Sequence, residues 1–397
     1  MIDRPLDGAL PFQIADDSES FVVLGANMTS QYREYNDKVL QRAMKFFDLL
    51  ERIKLNLSTT LTLARLSGFP KLIFYASVTP PQHARDTIVA FQNRLIRFYR
   101  TYTGIDIPDN MLHERHGAGI PDYATCHDAL FEKSRNLAFG YTAQLEVELV
   151  TCTVSLEKPV LTAHLLAQHA AEWMFATTGT STGTENLSDD EFRICFALRC
   201  QTLPKHIIDK LPTWTCECGN TGKSIFEVTQ HALACQSTRV SYTTRHNAVR
   251  NILARAVNEF GLTATKEPTF YTYTNGHRRP DLTVYGGGAT QVTTDVIICA
   301  QDRTFVGAQA AANEKIKRNI HHDAVSRHGH SFVPFCLETH GHRSQSVYKW
   351  IQEVSAHLPR FAALPFERRV KYLVSTTLAK NRAMIMNSLT RTYQVNT

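Results

Sequence analysis

The stretch 276–299, GHRRPDLTVYGGGATQVTTDVIIC, decides the fold. It carries two aspartates, Asp281 and Asp295, with thirteen residues between them, each set among strand formers. Gly286, Gly287 and Gly288 suit a turn between two strands. Folding 281–285 back on 291–298 pairs Asp281 with Asp295, Leu282 with Thr294 and Val284 with Val292. Side chains alternate along a strand. Leu282, Val284, Val292, Val296 and Ile298 therefore share one face, and Asp281, Thr283, Thr293 and Asp295 the other. Directly opposed residues sit about 5 Å apart, where two carboxylates repel. A divalent cation between them removes the conflict. Oxygen ligands at about 2.1 Å suit Mg²⁺, which keeps several waters. Such a cation makes a bound water easier to deprotonate and stabilises charge on a phosphodiester in flight. The alternative is that one or both aspartates face solvent at strand ends, with Asp281 serving a turn after Arg279-Pro280.

The neighbours extend the metal reading. Glu267, in KEPTF, is expected to start the preceding strand and to add a carboxylate. Arg278 and Arg279 flank Asp281 and are placed to meet phosphate. The following helix, AQAAANEKIKRNIHHDA, carries Lys315, Lys317, Arg318, His321 and His322. Lys317 and His321 stand at i and i+4 and share a face. Lys315 lies about 200° round the helix from Lys317, so one of the two reaches the carboxylates. For the other, a solvated basic face is the ordinary role.

A second cluster lies upstream. CECGNTGKSIFEVTQHALAC places Cys216, Cys218, His231 and Cys235 within twenty residues. A turn at Gly219 brings the first pair together, and one helical turn brings the second. Zinc takes four such ligands in a tetrahedron. Four protein ligands leave no open position, so the zinc would be structural. Three unrelated buried thiols and a surface histidine are the alternative. The other cysteines, Cys126, Cys152, Cys195, Cys200, Cys299 and Cys336, read as reduced, buried thiols.

Composition sets the bounds. The 397 residues are 43% hydrophobic, which admits a packed core and excludes wholesale disorder. The net charge of +6 permits an anionic partner without requiring one. The start, MIDRPLDGALPFQIADD, has no apolar core of a signal peptide, and no run approaches the roughly 18 apolar residues of a membrane span. A short buried strand is expected over 20–26. Helices are expected over 30–100, 126–147, 160–176, 189–200, 245–260, 306–327, 346–357 and 366–388. Strand structure is expected over 268–299 and 331–338. Ser188 is a plausible N-cap for the helix from 189. Ile88, Phe91, Leu95 and Phe98 make one helical stripe, with Arg94, Arg97 and Arg100 off it on a solvated face.

Over 211–341 these pieces fall in a recognisable order. CxCG and HALxC are followed by RHNAVRNILARAV (245–257), EP (267–268), RRPDL (278–282), TDVII (294–298), the basic helix and FVPFCLETHG (332–341). This resembles the zinc knuckle and restriction-like endonuclease domain of site-specific non-LTR retrotransposon proteins, a nuclease of the PD-(D/E)xK superfamily. Upstream, FVVLGA (21–26) and LTLARLSGFPKLIFYASVTPP (61–81) resemble the end of a reverse transcriptase and its thumb. HGAGIPDYATCHDALFEK (116–133) resembles the linker that follows. The resemblance implies an α+β chain with a helical N-terminal half. Its parts would be a thumb-like region (1–105), a helical linker (106–210), a CCHC zinc knuckle (211–237), a restriction-like mixed sheet flanked by helices (238–345), and C-terminal helices (346–397).

The resemblance also implies roles. Asp281 is the Asp of the PD motif and Asp295 the second acid, and both hold Mg²⁺ or Mn²⁺. Ile297 stands where the superfamily usually has lysine, and this retroelement group takes its lysine from the next helix. Lys317 is the first candidate and Lys315 the second; Glu267 assists. Arg245, His246, Arg250, Arg278 and Arg279 are expected to grip nucleic acid. The implied activity is single-strand nicking of DNA in the nucleus. The partners would be a DNA target and the element's RNA, with no membrane and no small-molecule substrate. The polymerase fingers and palm, with their Tyr/Phe-x-Asp-Asp turn, are not matched, so no polymerase activity is expected. The alternatives are an inactive nucleic-acid-binding remnant and a zinc-stabilised protein-interaction module.

Overall fold

A computed structural model describes residues 22–23, 26–27, 32–114, 117–138, 172–175, 186–211, 214–216, 218–219, 221, 225–235, 239–273, 278–287, 290–300 and 305–389. The chain is mixed α and β, mostly helical, with small sheets. Two compact units form. The first comprises 1–55, 63–102 and 120–150, and the second 56–62, 103–119 and 151–397. They do not divide at the expected boundary between 105 and 106. The helix Tyr123–Ala138 belongs with the first unit because its start is tied there. The Tyr123 N–H donates to Gln92 Oε1 at 2.9 Å, its hydroxyl donates to the Phe69 carbonyl, and a His127 ring nitrogen lies 3.2 Å from the Thr79 carbonyl.

The first unit is helical around an aromatic centre. Phe47 is fully buried, with Phe91 and Phe98 at ring distances of 5.7 and 5.1 Å. The expected stripe of Ile88, Phe91, Leu95 and Phe98 is buried along Pro81–Thr103. Pro81 opens that helix, where a missing N–H costs nothing. Arg94 does not lie on a merely solvated face, since it bridges Asp48 and Glu51 at 3.0 and 2.9 Å. Gly68 sits where the Phe47 ring comes closest, and a Cβ there would stand 2.9 Å from it. The expected strand over 20–26 is instead an antiparallel pair, β1 (Val22–Val23) and β2 (Ala26–Asn27).

The second unit holds the main sheet. A helix, Arg239–Glu259, precedes three antiparallel strands: β3 (Thr263–Lys266), β4 (Leu282–Tyr285) and β5 (Val292–Thr294). β6 (Val296–Cys299) continues β5 past Asp295. A second helix, Ala308–Ser326, then leads to β7 (Ser331–Phe332) and β8 (Phe335–Glu338), which run parallel to β5 and β6. The expected strand over 331–338 is thus split at Val333-Pro334. Proline has no N–H to give to a ladder, and it stands opposite Asp295 in the register of both flanking pairs.

The hairpin register is the expected one: Leu282 pairs with Thr294, Thr283 with Thr293 and Val284 with Val292. Leu282, Val284, Val292, Val296 and Ile298 all enter the core, against Leu253 and Val257 of the first helix and Trp350 and Phe366 from the C-terminal helices Gln345–Ser355 and Arg360–Ser388. Residues 268–273 lie outside any strand, contrary to expectation. β3 comes before Glu267, which leaves it with φ +48 ahead of Pro268. Ser188 caps Asp189–Arg199 in a reciprocal capping box with Glu191. Cys195, Cys200 and Cys336 are buried, while Cys126 and Cys299 are only half-buried. The expected helix over 160–176, all but 172–175, and Cys152 lie outside the described residues.

Candidate functional site

Asp281 and Asp295 meet on the polar face of the hairpin, and both are buried. Their carboxyls lie close enough for the ionisation of each to depend on the other. The Asp281 N–H donates to the Thr294 carbonyl at 3.0 Å, just beyond the last ladder pair, Leu282 with Thr294. On Asp281, Oδ2 accepts the Val296 N–H at 2.6 Å, and Oδ1 lies 2.9 Å from His246 Nε2. On Asp295, Oδ2 is 2.7 Å from Lys317 Nζ and 2.8 Å from His321 Nε2. The other ring nitrogen of His321, Nδ1, lies 2.6 Å from the Tyr273 hydroxyl.

Electrostatics separates the two acids. Burial, with the neighbouring Asp295 charge, pushes Asp281 up to about 6 against the opposing bond from His246. Burial also opposes the ionisation of Asp295. The bonds from His321 and Asp281 and the Lys317 charge outweigh it and hold that carboxyl well below the usual range. Asp281 is thus the acid of the pair that keeps its proton to the higher pH. Tyr273 is pushed up to about 12 by burial and by the Asp295 charge, so it stays a neutral hydroxyl.

A raised carboxyl favours folding only while protonated. For Asp281 that contribution is complete below its ordinary value near 4 and is lost as pH rises through about 6. Asp281→Asn should therefore stabilise the metal-free protein at pH 7.5, by up to roughly 3 kcal/mol, and by much less at pH 4.5. Melting curves at the two pH values check the difference, and an equal effect at both would contradict the raised Asp281 carboxyl.

Helix geometry explains which basic groups arrive. On Ala308–Ser326 the buried positions Ala310, His321, Ala324 and Val325 mark the inner face, and Lys317 lies one turn before His321. Lys315 is exposed, on the other side. The start of this helix is pinned by Gly307, whose N–H donates to Glu338 Oε1 at 2.9 Å. Gly307 has φ +84, and a Cβ there would lie 2.5 Å from the His342 ring.

Three groups expected on nucleic acid point inward instead. Arg250 and His246 fall one and two turns before Leu253 on the stripe that continues to Val257, so they extend that face of the helix. His246 meets Asp281, and Arg250 pairs with Glu267. Glu267 accordingly turns to Arg250, while its N–H donates to the Asp281 carbonyl at 3.0 Å. Arg245 is 5% exposed and donates to the Leu233 carbonyl at 3.2 Å; burial lowers its pKa. Arg278 and Arg279 are exposed. Tyr273 was not singled out from the sequence. The signal was the alternation in FYTYT (270–274), which puts Tyr271 and Tyr273 on one side of an extended segment. Tyr271 accordingly meets Thr293 Oγ1 at 2.6 Å on the polar hairpin face.

The cysteine cluster also assembles. The ligand atoms of Cys216, Cys218, His231 and Cys235 all lie within 4.8 Å of one another. Cys216 Sγ and Cys235 Sγ are 3.6 Å apart, and Cys218 Sγ is 3.2 Å from His231 Nε2. A tetrahedron with metal–sulfur bonds of about 2.3 Å has edges of roughly 3.8 Å, so the set fits zinc. The Gly219 N–H closes the first turn on the Cys216 carbonyl at 2.8 Å, with φ +84. His231 projects from the helix Ile225–Ala234.

No protein-family model matches the chain, and no curated protein matches it. Among the described residues, no helix is long and apolar enough to cross a membrane.

Proposed function

We propose that the chain is the DNA-nicking part of a non-LTR retrotransposon protein, a Mg²⁺- or Mn²⁺-dependent endonuclease of PD-(D/E)xK type with a structural zinc. One observation carries this reading. Two buried aspartates come together at the hairpin, and a lysine from the next helix lies 2.7 Å from one of them. The order of helix, three antiparallel strands, helix and parallel strand supports a restriction-like fold. The sequence resemblance supports the same reading. DNA, the element's RNA and a nuclear location belong to the proposal.

Asp281 and Asp295 would hold the cation, which lowers the pKa of a bound water and offsets phosphate charge. Lys317 orients that water or the phosphate. Arg278 and Arg279 take flanking phosphates, and Cys216, Cys218, His231 and Cys235 hold zinc. Arg245, His246 and Arg250 serve the interior and not the DNA face.

The direct test is purified protein on supercoiled plasmid with Mg²⁺, Mn²⁺ or EDTA. Nicking that needs the metal supports the endonuclease. Zinc-loaded protein that binds DNA and never nicks it is the inactive remnant. Lys317→Ala should lower nicking by roughly a hundredfold or more, the scale of a lost acid–base or electrostatic partner. Lys315→Ala should leave it unchanged. The opposite ranking in the same assay would place the wrong face of the helix at the site.

A further inference from the structure

We propose that His321, locked by Tyr273, is the positioning residue that holds Asp295 for its cation and so releases Lys317 for the chemistry. This rests on the reading of Asp281 and Asp295 as cation ligands, and neither His321 nor Tyr273 has a role in that reading as it stands.

The geometry is specific. Lys317 and His321 both reach the same oxygen, Asp295 Oδ2, at 2.7 and 2.8 Å. Two donors fill the two lone pairs of that oxygen. Oδ1 is then the oxygen left for Asp281 and a cation. A lysine needed by water or phosphate cannot also be the sole holder of the carboxylate. His321 removes that conflict, and the two donors are suited to different tasks. The Lys317 side chain is 23% exposed on a flexible four-carbon stem, whereas that of His321 is 4% exposed. The His321 ring is wedged between Phe332, at 5.2 Å, and Tyr273, perpendicular at 5.5 Å. With Nε2 as the N–H that faces the Asp295 carboxylate, Nδ1 of a neutral ring accepts from the Tyr273 hydroxyl 2.6 Å away. Such outer partners fix a ligand's orientation and tautomer, and their loss costs roughly 10- to 100-fold in metal affinity.

The experiment is Mn²⁺ binding to the full chain with its zinc site loaded, read by electron paramagnetic resonance and separately from cleavage. His321→Ala should weaken Mn²⁺ binding by roughly tenfold or more. His321→Gln, which keeps an N–H donor, should recover part of it, and added imidazole should partly restore His321→Ala. Tyr273→Phe removes one oxygen and keeps the ring, so it carries the test if His321→Ala does not fold. It should weaken Mn²⁺ binding by a few-fold. Lys317→Ala should bind Mn²⁺ within about twofold of wild type while losing nicking. Wild-type binding with His321→Ala and Tyr273→Phe unchanged overturns the inference alone. So does a Lys317→Ala loss as large as that of His321→Ala. Wild-type protein that takes up no Mn²⁺ beyond the zinc site overturns the cation reading and this inference together.

Discussion

Asp295→Asn is expected to lower metal-dependent nicking by roughly a thousandfold, the scale on which a preorganised charge at a reacting phosphate acts. The substitution removes a formal charge and keeps the shape. His321 and Lys317 both hold one oxygen of the ionised Asp295, so an asparagine carbonyl can still accept from both, while the charge is lost and an NH₂ replaces the oxygen left for Asp281 and a cation. Asp281→Asn should be as damaging to nicking. It leaves Leu282, Val284 and the hairpin ladder in the core untouched. DNA binding should survive in both variants, because a negative group beside phosphate has been removed. Gel-shift and plasmid assays on the same preparations separate the two effects. Loss of binding in parallel with nicking would mean that the carboxylates support the fold and not the reaction.

The zinc site carries the second large effect. One tightly held zinc per chain is expected, and Cys218→Ser or chelation should remove it. Small sites of this kind supply about 10 kcal/mol or more of metal-coupled folding. The segment from Trp214 to Cys235 should then lose protection in hydrogen exchange. His231 stacks edge-on against Trp214 at 5.8 Å, so tryptophan fluorescence offers a second readout. Correctly folded protein that contains no zinc by metal analysis would refute the site.

Much of this arrangement is legible in the sequence where one periodicity governs. Alternation along 281–298 sets both the register and the two faces, because a slip by one residue would move every valine to the aspartate face and put the aspartates in the apolar core. The helical repeat separates Lys317 from Lys315 for the same reason. Spacing alone brings Cys216, Cys218, His231 and Cys235 together. The misreadings arise where charge was taken as a sign of exposure. His246 and Arg250 stand in step with Leu253 and Val257, and that stripe already turned them inward. Arg245 is buried with a backbone carbonyl as its partner, which polarity scales do not anticipate. The position of Glu267 depends on a left-handed backbone before Pro268, and no pattern of hydrophobicity encodes it. The break at Pro334 was written in the chain, but its meaning appears only when Asp295 is seen opposite.

Arg245 and His246 are neighbours with different partners. One holds the last turn of the knuckle helix through the Leu233 carbonyl, and the next holds Asp281. The junction at 237/238 is therefore a poor place to cut. A fragment starting at residue 238 strands a buried guanidinium without its acceptor, at a cost of a few kcal/mol. The helix can relieve that only by rolling, which swings the adjacent imidazole off the carboxylate. Limited proteolysis and thermal melts of fragments starting at 211 and at 238 should show the first behaving as a cooperative unit and the second as a frayed one. On that expectation the smallest autonomous piece contains both the cysteine-cluster helix and the sheet.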